Sequence, residues 1–270
     1  MAAAGHNRKD PARARPSRPI DVRRRRAARV AVLAVIVVAA AGSALFSRAE
    51  EPTAPAGGSG APDLPEAACK ATRPPQARPQ RYESPPLALK AGADYGAVIS
   101  TSCGDITIDL AEGKAPENVN SFVFLARRGF YDGLIWHRVV PNSIIQSGDP
   151  NGVPGEPPEG PGYTVPDEYP VQGSVYVRGV VAMANKGPFT DSAGSQFFIV
   201  THKGISEDVA VEPAGLEPHY SIIGRVARTS FDVLDEIGEK ETRGSGAPGE
   251  ANTPIVPIYI ESIRVTETRG

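Results

Sequence analysis

Trp136-His137-Arg138-Val139-Val140-Pro141, with Ile145-Gln146-Ser147-Gly148-Asp149-Pro150 close behind it, decides the reading of this chain. Short aliphatic runs broken by Pro and Gly are strands between turns, and the polar residues set into them are too particular for generic strand and loop. Two further segments share this character. One is Met183-Ala184-Asn185-Lys186-Gly187-Pro188, leading into Ser192-Ala193-Gly194-Ser195-Gln196-Phe197-Phe198-Ile199-Val200. The other is Tyr220-Ser221-Ile222-Ile223-Gly224-Arg225-Val226. Successive strand residues face opposite sides, so one of Phe197 and Phe198 belongs to a core and the other to a surface, and His137 points away from Arg138.

Outward from these segments the same texture continues. Ala97 to Thr101 and Ile106 to Leu110 flank Cys103-Gly104-Asp105, a hairpin signal with Gly in the turn. Pro116 opens a stretch with Val119, Phe122, Val123 and Ala126 on one helical face, and Gly129 closes it. Strand-like runs follow at 134–140, 144–146, 180–184, 196–201, 220–226 and 255–265, with a second short helix over 230–237. Glu239 to Pro254 reads as a hairpin loop before the last strand. Many strands with only two helices argue for a mainly β domain, a closed barrel or sandwich rather than a parallel α/β sheet. No internal repeat is visible.

The N-terminal third is different. Residues 1–29 hold ten basic and two acidic side chains, a local charge of +8, and no apolar periodicity, so they read as a disordered cytoplasmic tail. Residues 30–46, VAVLAVIVVAAAGSALF, are 17 uncharged residues, near the lower limit for crossing a bilayer. They predict a single-pass signal anchor with the basic side in the cytoplasm and the remainder extracytoplasmic; a cleaved signal peptide with a secreted product is the alternative. Residues 47–92 carry nine prolines among Ala, Gly and Ser and predict a semi-extended linker, with the folded domain at 93–268. Cys69 and Cys103 are the two cysteines, and in an exported chain they are candidates for a disulfide, a lipid anchor on Cys69 being the rival. From Ala49 onward 18 basic against 29 acidic residues leave −11, which excludes a phosphate-coating nucleic-acid binder. Two cysteines and four scattered histidines are too few for a zinc ribbon or an iron-sulfur cluster, and no metal is expected.

In this order the three segments resemble the cyclophilin family of peptidyl-prolyl cis/trans isomerases, over about residues 95–266, and the tethered Pro-rich architecture resembles exported actinobacterial members. The resemblance implies a closed antiparallel eight-stranded β-barrel capped by two α-helices, with a peptide groove on its outer face. It implies isomerisation of X-Pro bonds in unfolded exported proteins, by a monomeric domain without cofactor. By resemblance Arg138 is the catalytic residue. Ile144 and Phe198 would line a proline pocket, and Gln146, Ala184, Asn185, Gln196, Leu216 and Tyr220 would bind the flanking peptide.

These residue types suit the reaction. Rotation about an X-Pro bond must break C–N conjugation, a barrier of about 18–20 kcal/mol, and it needs neither a nucleophile nor a proton shuttle. It needs an apolar seat for the ring, hydrogen bonds to the chain, and a fixed donor aimed at the prolyl nitrogen as it pyramidalises, for which arginine is suited. Other readings are blander. An arginine on a strand is ordinarily a solvated charge, His137 is structural, His202 and His219 lack ligand-spaced partners, and Asp149, Asp167 and Glu168 are loop residues rather than a hydrolytic pair. The chain departs from the family at three places. Ser143 replaces a groove phenylalanine, Gly215 a tryptophan before the groove leucine, and Tyr220 a groove histidine. These departures keep a second class of function in view, a proline-peptide binding module or holdase with little catalysis.

Overall fold

A computed structural model describes residues 69, 77–78, 80–152, 159–171, 176–203, 216–244 and 251–269. The strands are β1 (Ala93–Thr101), β2 (Gly104–Leu110), β3 (Arg138–Val140), β4 (Ile144–Ser147), β5 (Val180–Met183), β6 (Phe197–Val200), β7 (Ile222–Val226) and β8 (Ile260–Arg269). Helix α1 (Pro116–Arg127) follows β2, and helix α2 (Phe231–Gly238) follows β7 after a 3-10 turn at Arg228–Ser230. The expected tail, the apolar run 30–46 and most of the linker lie outside the described residues. Among the described residues no helix is long and apolar enough to cross a membrane.

The strands form one curled antiparallel sheet in the order β3-β4-β6-β5-β7-β2-β1-β8. Where a closed barrel is expected, the ladder ends at β3 and β8, a half-barrel with two helices. Across that gap the backbone still bonds, Trp136 N to Ile258 O at 2.9 Å and Ile260 N to Leu134 O at 2.8 Å. The expected strand over 134–140 is therefore a three-residue strand preceded by this bridge. The expected strand over 255–265 begins only at Ile260, because Pro257 can donate no ladder bond. The Glu239–Pro254 loop is pinned at its ends, with Arg243 N on Thr253 O and Val139 N on Asn252 O.

Alternation explains the packing. In β1 every second residue is buried, and β4, β5 and β6 are buried on both faces. The inner face carries Val139, Ile145, Val181, Met183, Phe197 and Ile199 in the main core, with Phe122, Tyr131 and Trp136. The Phe197 ring meets those of Phe122, Tyr131 and Trp136 edge-on, at 5.6, 5.6 and 5.7 Å. Helix α1 seals one end. Pro116 starts it without a side-chain cap of its own, and the Glu168 carboxylate fills that role by accepting from the amides of Glu117 and Asn118 at 3.1 and 2.8 Å.

Residues 80–92 are not detached from this body. Asn120 on α1 accepts from the Ala88 and Leu89 amides at 2.7 and 3.3 Å and donates to Pro86 O. Tyr82 packs edge-on against Phe124 at 4.9 Å. Cys69 and Cys103 are joined in a disulfide spanning 34 residues.

Candidate functional site

The outer face of the same strands carries a second apolar cluster of Ile144, Tyr176, Val180, Ala182, Phe198 and Val200. Register places the candidate residues in a single row across it. Arg138 on β3 pairs with Gln146 on β4, Gln146 with Phe198 on β6, Phe198 with Ala182 on β5, and Ala182 with Ile222 on β7. Cross-strand partners on one face stand within side-chain reach, so Gln146 and Phe198, 52 positions apart in sequence, become neighbours. Ile144 stands one step along, opposite Val200.

A polar chain runs along one side of this row. Arg138 donates to Gln146 Oε1 at 3.1 Å, Gln146 Nε2 donates to Gln196 Oε1 at 2.8 Å, and Gln196 Nε2 donates to Asp149 Oδ2 at 3.0 Å. The direction of the chain is set at its start, because Arg138 only donates, which turns Gln146 Oε1 toward it and leaves the Gln146 amide to donate onward. Asp149 is buried and also accepts from the Asn151 and Glu159 amides, each at 3.0 Å. Ser195 Oγ holds Gly148 O at 2.7 Å. Gly148 has φ +91°, and a Cβ there would lie 2.3 Å from Ser195 O, so the turn that aims Asp149 requires glycine. The guanidinium of Arg138 stays exposed.

The second group of expected residues lies at the other end of the row. Ala184 donates its amide to Gln196 O at 2.9 Å. Asn185 Nδ2 donates to His219 O at 2.8 Å, which ties the 183–188 segment to the one bearing Leu216 and Tyr220. Asn185 also donates to Asp167, whose carboxylate accepts from Tyr169 OH and from the Thr190 and Asp191 amides. Burial would raise the Asp167 pKa, but these hydrogen bonds outweigh it and hold the group below the usual carboxylate range. Glu168 caps α1, so Asp149, Asp167 and Glu168 have separate structural tasks.

Phe198 is only 2 % exposed. The Tyr220 ring stands edge-on to it at 5.1 Å, and Tyr176 lies at 6.4 Å. Tyr176 OH donates to Tyr220 O at 2.7 Å and accepts from Tyr220 N at 3.0 Å. Leu216 packs against the same cluster. Ser143 sits in the β3–β4 turn, with its amide on Val140 O and its carbonyl accepting from Thr201 N. Beyond Gln146 and Gln196 opens a cleft of about 490 Å³, lined also by Arg81, Glu159, Tyr163, Lys186 and Ser192.

Sequence reasoning set Asp149 aside as a loop residue and passed over Tyr176, Arg81 and Lys186. The signal for Asp149 was its place two residues after a glycine-flanked strand end; Tyr176 gives none, because its role depends on a hydroxyl reaching 44 residues along the chain.

A family model described as cyclophilin type peptidyl-prolyl cis-trans isomerase matches residues 97–265. The chain is 33% identical over 177 residues to the "Probable peptidyl-prolyl cis-trans isomerase B" of Mycobacterium tuberculosis, covering 60% of this chain and 53% of that one. It is 34% identical to the "Peptidyl-prolyl cis-trans isomerase-like 1" of Aspergillus oryzae, covering 62% of this chain and 92% of that one. Thus it spans about half the length of some curated relatives. A cyclophilin-type isomerase from Cryptosporidium parvum, whose structure was also solved in the presence of the dipeptide Ala-Pro, superposes with TM-score 0.52 at 27% identity, over 65% of this chain and 99% of that one.

Proposed function

The chain belongs to the cyclophilin-type peptidyl-prolyl cis-trans isomerase family, and on that premise we propose that it rotates X-Pro bonds in exported polypeptides. The observation that carries this reading is the Arg138–Gln146–Phe198 register row. It sets a permanent donor beside an apolar surface, with an amide between them to hold the peptide. As the C–N bond twists, the prolyl nitrogen pyramidalises and gains a lone pair. A donor already fixed at that place binds the twisted amide better than either planar isomer, which lowers the barrier without covalent chemistry. The Arg138–Gln146–Gln196–Asp149 chain supports such fixing, because it restricts the guanidinium from one side while leaving it exposed.

We read residues 30–46 as a single-pass anchor that holds the domain on the extracytoplasmic side; the uncharged run after a +8 tail supports this. N-terminal sequencing of the mature protein tests it, and a start near Phe46 to Glu50 would sink it. The Trp136–Ile258 and Ile260–Leu134 bonds support reading the half-barrel as closed at that end.

Exchange spectroscopy on short X-Pro peptides, with the full chain and its Arg138→Ala variant, tests the activity. The expected loss in the variant is on the order of tenfold or more, comparable to removing one preorganised donor. No acceleration by the folded wild-type chain with any residue before proline removes the isomerase reading. A second reading, a proline-peptide binding module, is favoured by the cover of Tyr220 over Phe198. It predicts that Arg138→Ala alters peptide affinity while leaving a slow rate where it was.

A further inference from the structure

The cleft beyond Gln146 and Gln196 has a wall that does not come from the sheet. Arg81, from the Pro-rich segment ahead of β1, lines it together with Glu159, Lys186 and Ser192. Arg81 is held in place rather than draped. Its neighbour Tyr82 donates its amide to Pro161 O at 2.7 Å and packs its ring on Phe124. Against it lies Gly162, with φ +98°, where a Cβ would lie 2.6 Å from Tyr82 O. Only glycine admits the segment this closely. Downstream, Asn120 clamps residues 86–89, and upstream the Cys69–Cys103 disulfide fixes the chain to the β1–β2 turn.

The charges facing the cleft are unequal. Arg81 and Lys186 are exposed cations on its wall, while Arg138 lies outside the lining and touches it only through its hydrogen bond to Gln146. Among the described residues none of the three has a carboxylate in salt-bridge range. The exposed anion in the lining is Glu159, and the Asp149 carboxylate sits behind Gln196, outside the lining, held by three amide donors. The lining thus holds two cations against one anion, on a region that carries −11 from Ala49 onward. Gln146 belongs both to the cleft and to the row with Phe198, and Gln196 is hydrogen-bonded to it, so a peptide whose proline lies at the row carries an adjacent side chain into the cleft.

We propose that Arg81 is a specificity-determining residue: with Lys186 it makes the cleft select peptides bearing an acidic side chain close to the proline. This rests on the isomerase reading and assigns the Pro-rich segment a part in substrate choice as well as in tethering.

The test uses the full chain with three families of X-Pro peptides, carrying Glu, Gln or Lys in turn at each of the three positions on either side of the proline. Both kcat/KM and peptide affinity are read as the Glu-to-Lys ratio, which a general loss of fold or activity leaves untouched. At low salt the wild-type ratio is expected to reach about fivefold at one position, the size of a partly screened ion pair. Arg81→Lys should keep it, Arg81→Glu should invert it, and high salt should flatten it. A ratio near one at every position, or one unchanged by Arg81→Glu, overturns the inference while leaving isomerase activity standing. If the Gln peptides are not accelerated at all, the isomerase reading fails, and the affinity ratio still decides the role of Arg81.

Discussion

Strands β4, β5 and β6 have two apolar faces with the same kinds of side chain and different fates. On the inner face Ile145, Val181, Phe197 and Ile199 meet other sheet residues and α1, and the aromatic rings lock edge to face. On the outer face Ile144, Val180, Ala182, Phe198 and Val200 meet only a thin cover that includes Tyr176, Leu216 and Tyr220, with a polar chain along one side. The inner face cannot be entered without unfolding. The outer face lies under only a few side chains. The parity of one residue, Phe197 or Phe198, decides which regime a phenylalanine serves.

The sharpest break of this comparison is the pair Phe197→Ala and Phe198→Ala. Phe197→Ala should cost about 3–5 kcal/mol, the range for a truncated core aromatic, because Trp136, Tyr131 and Phe122 cannot all collapse into the space. Phe198→Ala should cost less, since its cover can settle, yet it should remove isomerisation more completely than its stability loss explains. Denaturant titration of both, beside exchange rates under native conditions, checks this. Equal stability losses with equal residual activity would erase the distinction between the faces.

Next in size is Asp149→Ala. It removes the acceptor that Gln196 Nε2 and the Asn151 and Glu159 amides share, a cost of about 1 kcal/mol because these donors are only part-buried and water can reach them. The structural consequence reaches the row, because Gln196 is then free to turn its amide and release Gln146. A fall in kcat/KM on the order of tenfold should follow, with Asp149→Asn recovering part of it. Wild-type turnover in Asp149→Ala would mean that the polar chain is ornamental to Arg138.

These consequences show what was legible in the sequence. Alternation and turn residues exposed the strands, Pro116 and Gly129 bracketed the first helix, and the three polar segments pointed to Arg138, Gln146, Gln196 and Phe198. Pairing register was not legible. Nothing local says that Arg138 lies opposite Gln146 and both in line with Phe198 and Ala182, since that follows from strand order in a curled sheet. Nor was the seating of residues 80–92. Its prolines announce an extended chain, but the amides of Ala88 and Leu89 find their acceptor in a helix some thirty residues away. The start of β8 was misjudged because β-branched residues before Pro257 look like a strand until the missing donor is counted.

A smaller effect concerns the cover itself. Tyr176→Phe removes one hydroxyl that both donates to Tyr220 O and accepts from Tyr220 N, at a cost of about 1–2 kcal/mol spread over two hydrogen bonds. Tyr220 should then leave Phe198 more readily, and kcat/KM should rise by a few-fold while global stability falls slightly. If turnover falls in step with stability, the cover is part of the binding surface rather than an obstacle in front of it.

The smallest effect separates the two faces by pH. His137 immediately precedes β3 and is half-buried, with its Nδ1 buried and lacking a hydrogen-bond partner among the described residues. Burial lowers its pKa, the nearby Asp149 charge raises it, Arg138 lowers it, and the balance is a lowered value. A folded pKa below the unfolded one means that the unfolded chain takes up a proton first. The stabilisation is complete above the unfolded value of about 6.5, shrinks as pH falls below it, and is gone once the pH passes through the folded value. Asp167 acts in the same direction but in a lower window, starting near its unfolded value of about 3.9. Melting temperature should therefore decline between pH 7 and 5, before the carboxylates protonate. His137→Gln should flatten that interval and leave the acid limb of Asp167 in place. A wild-type curve already flat from pH 7 to 5 would place the imidazole in water, and with it His137 on the solvent side of the sheet.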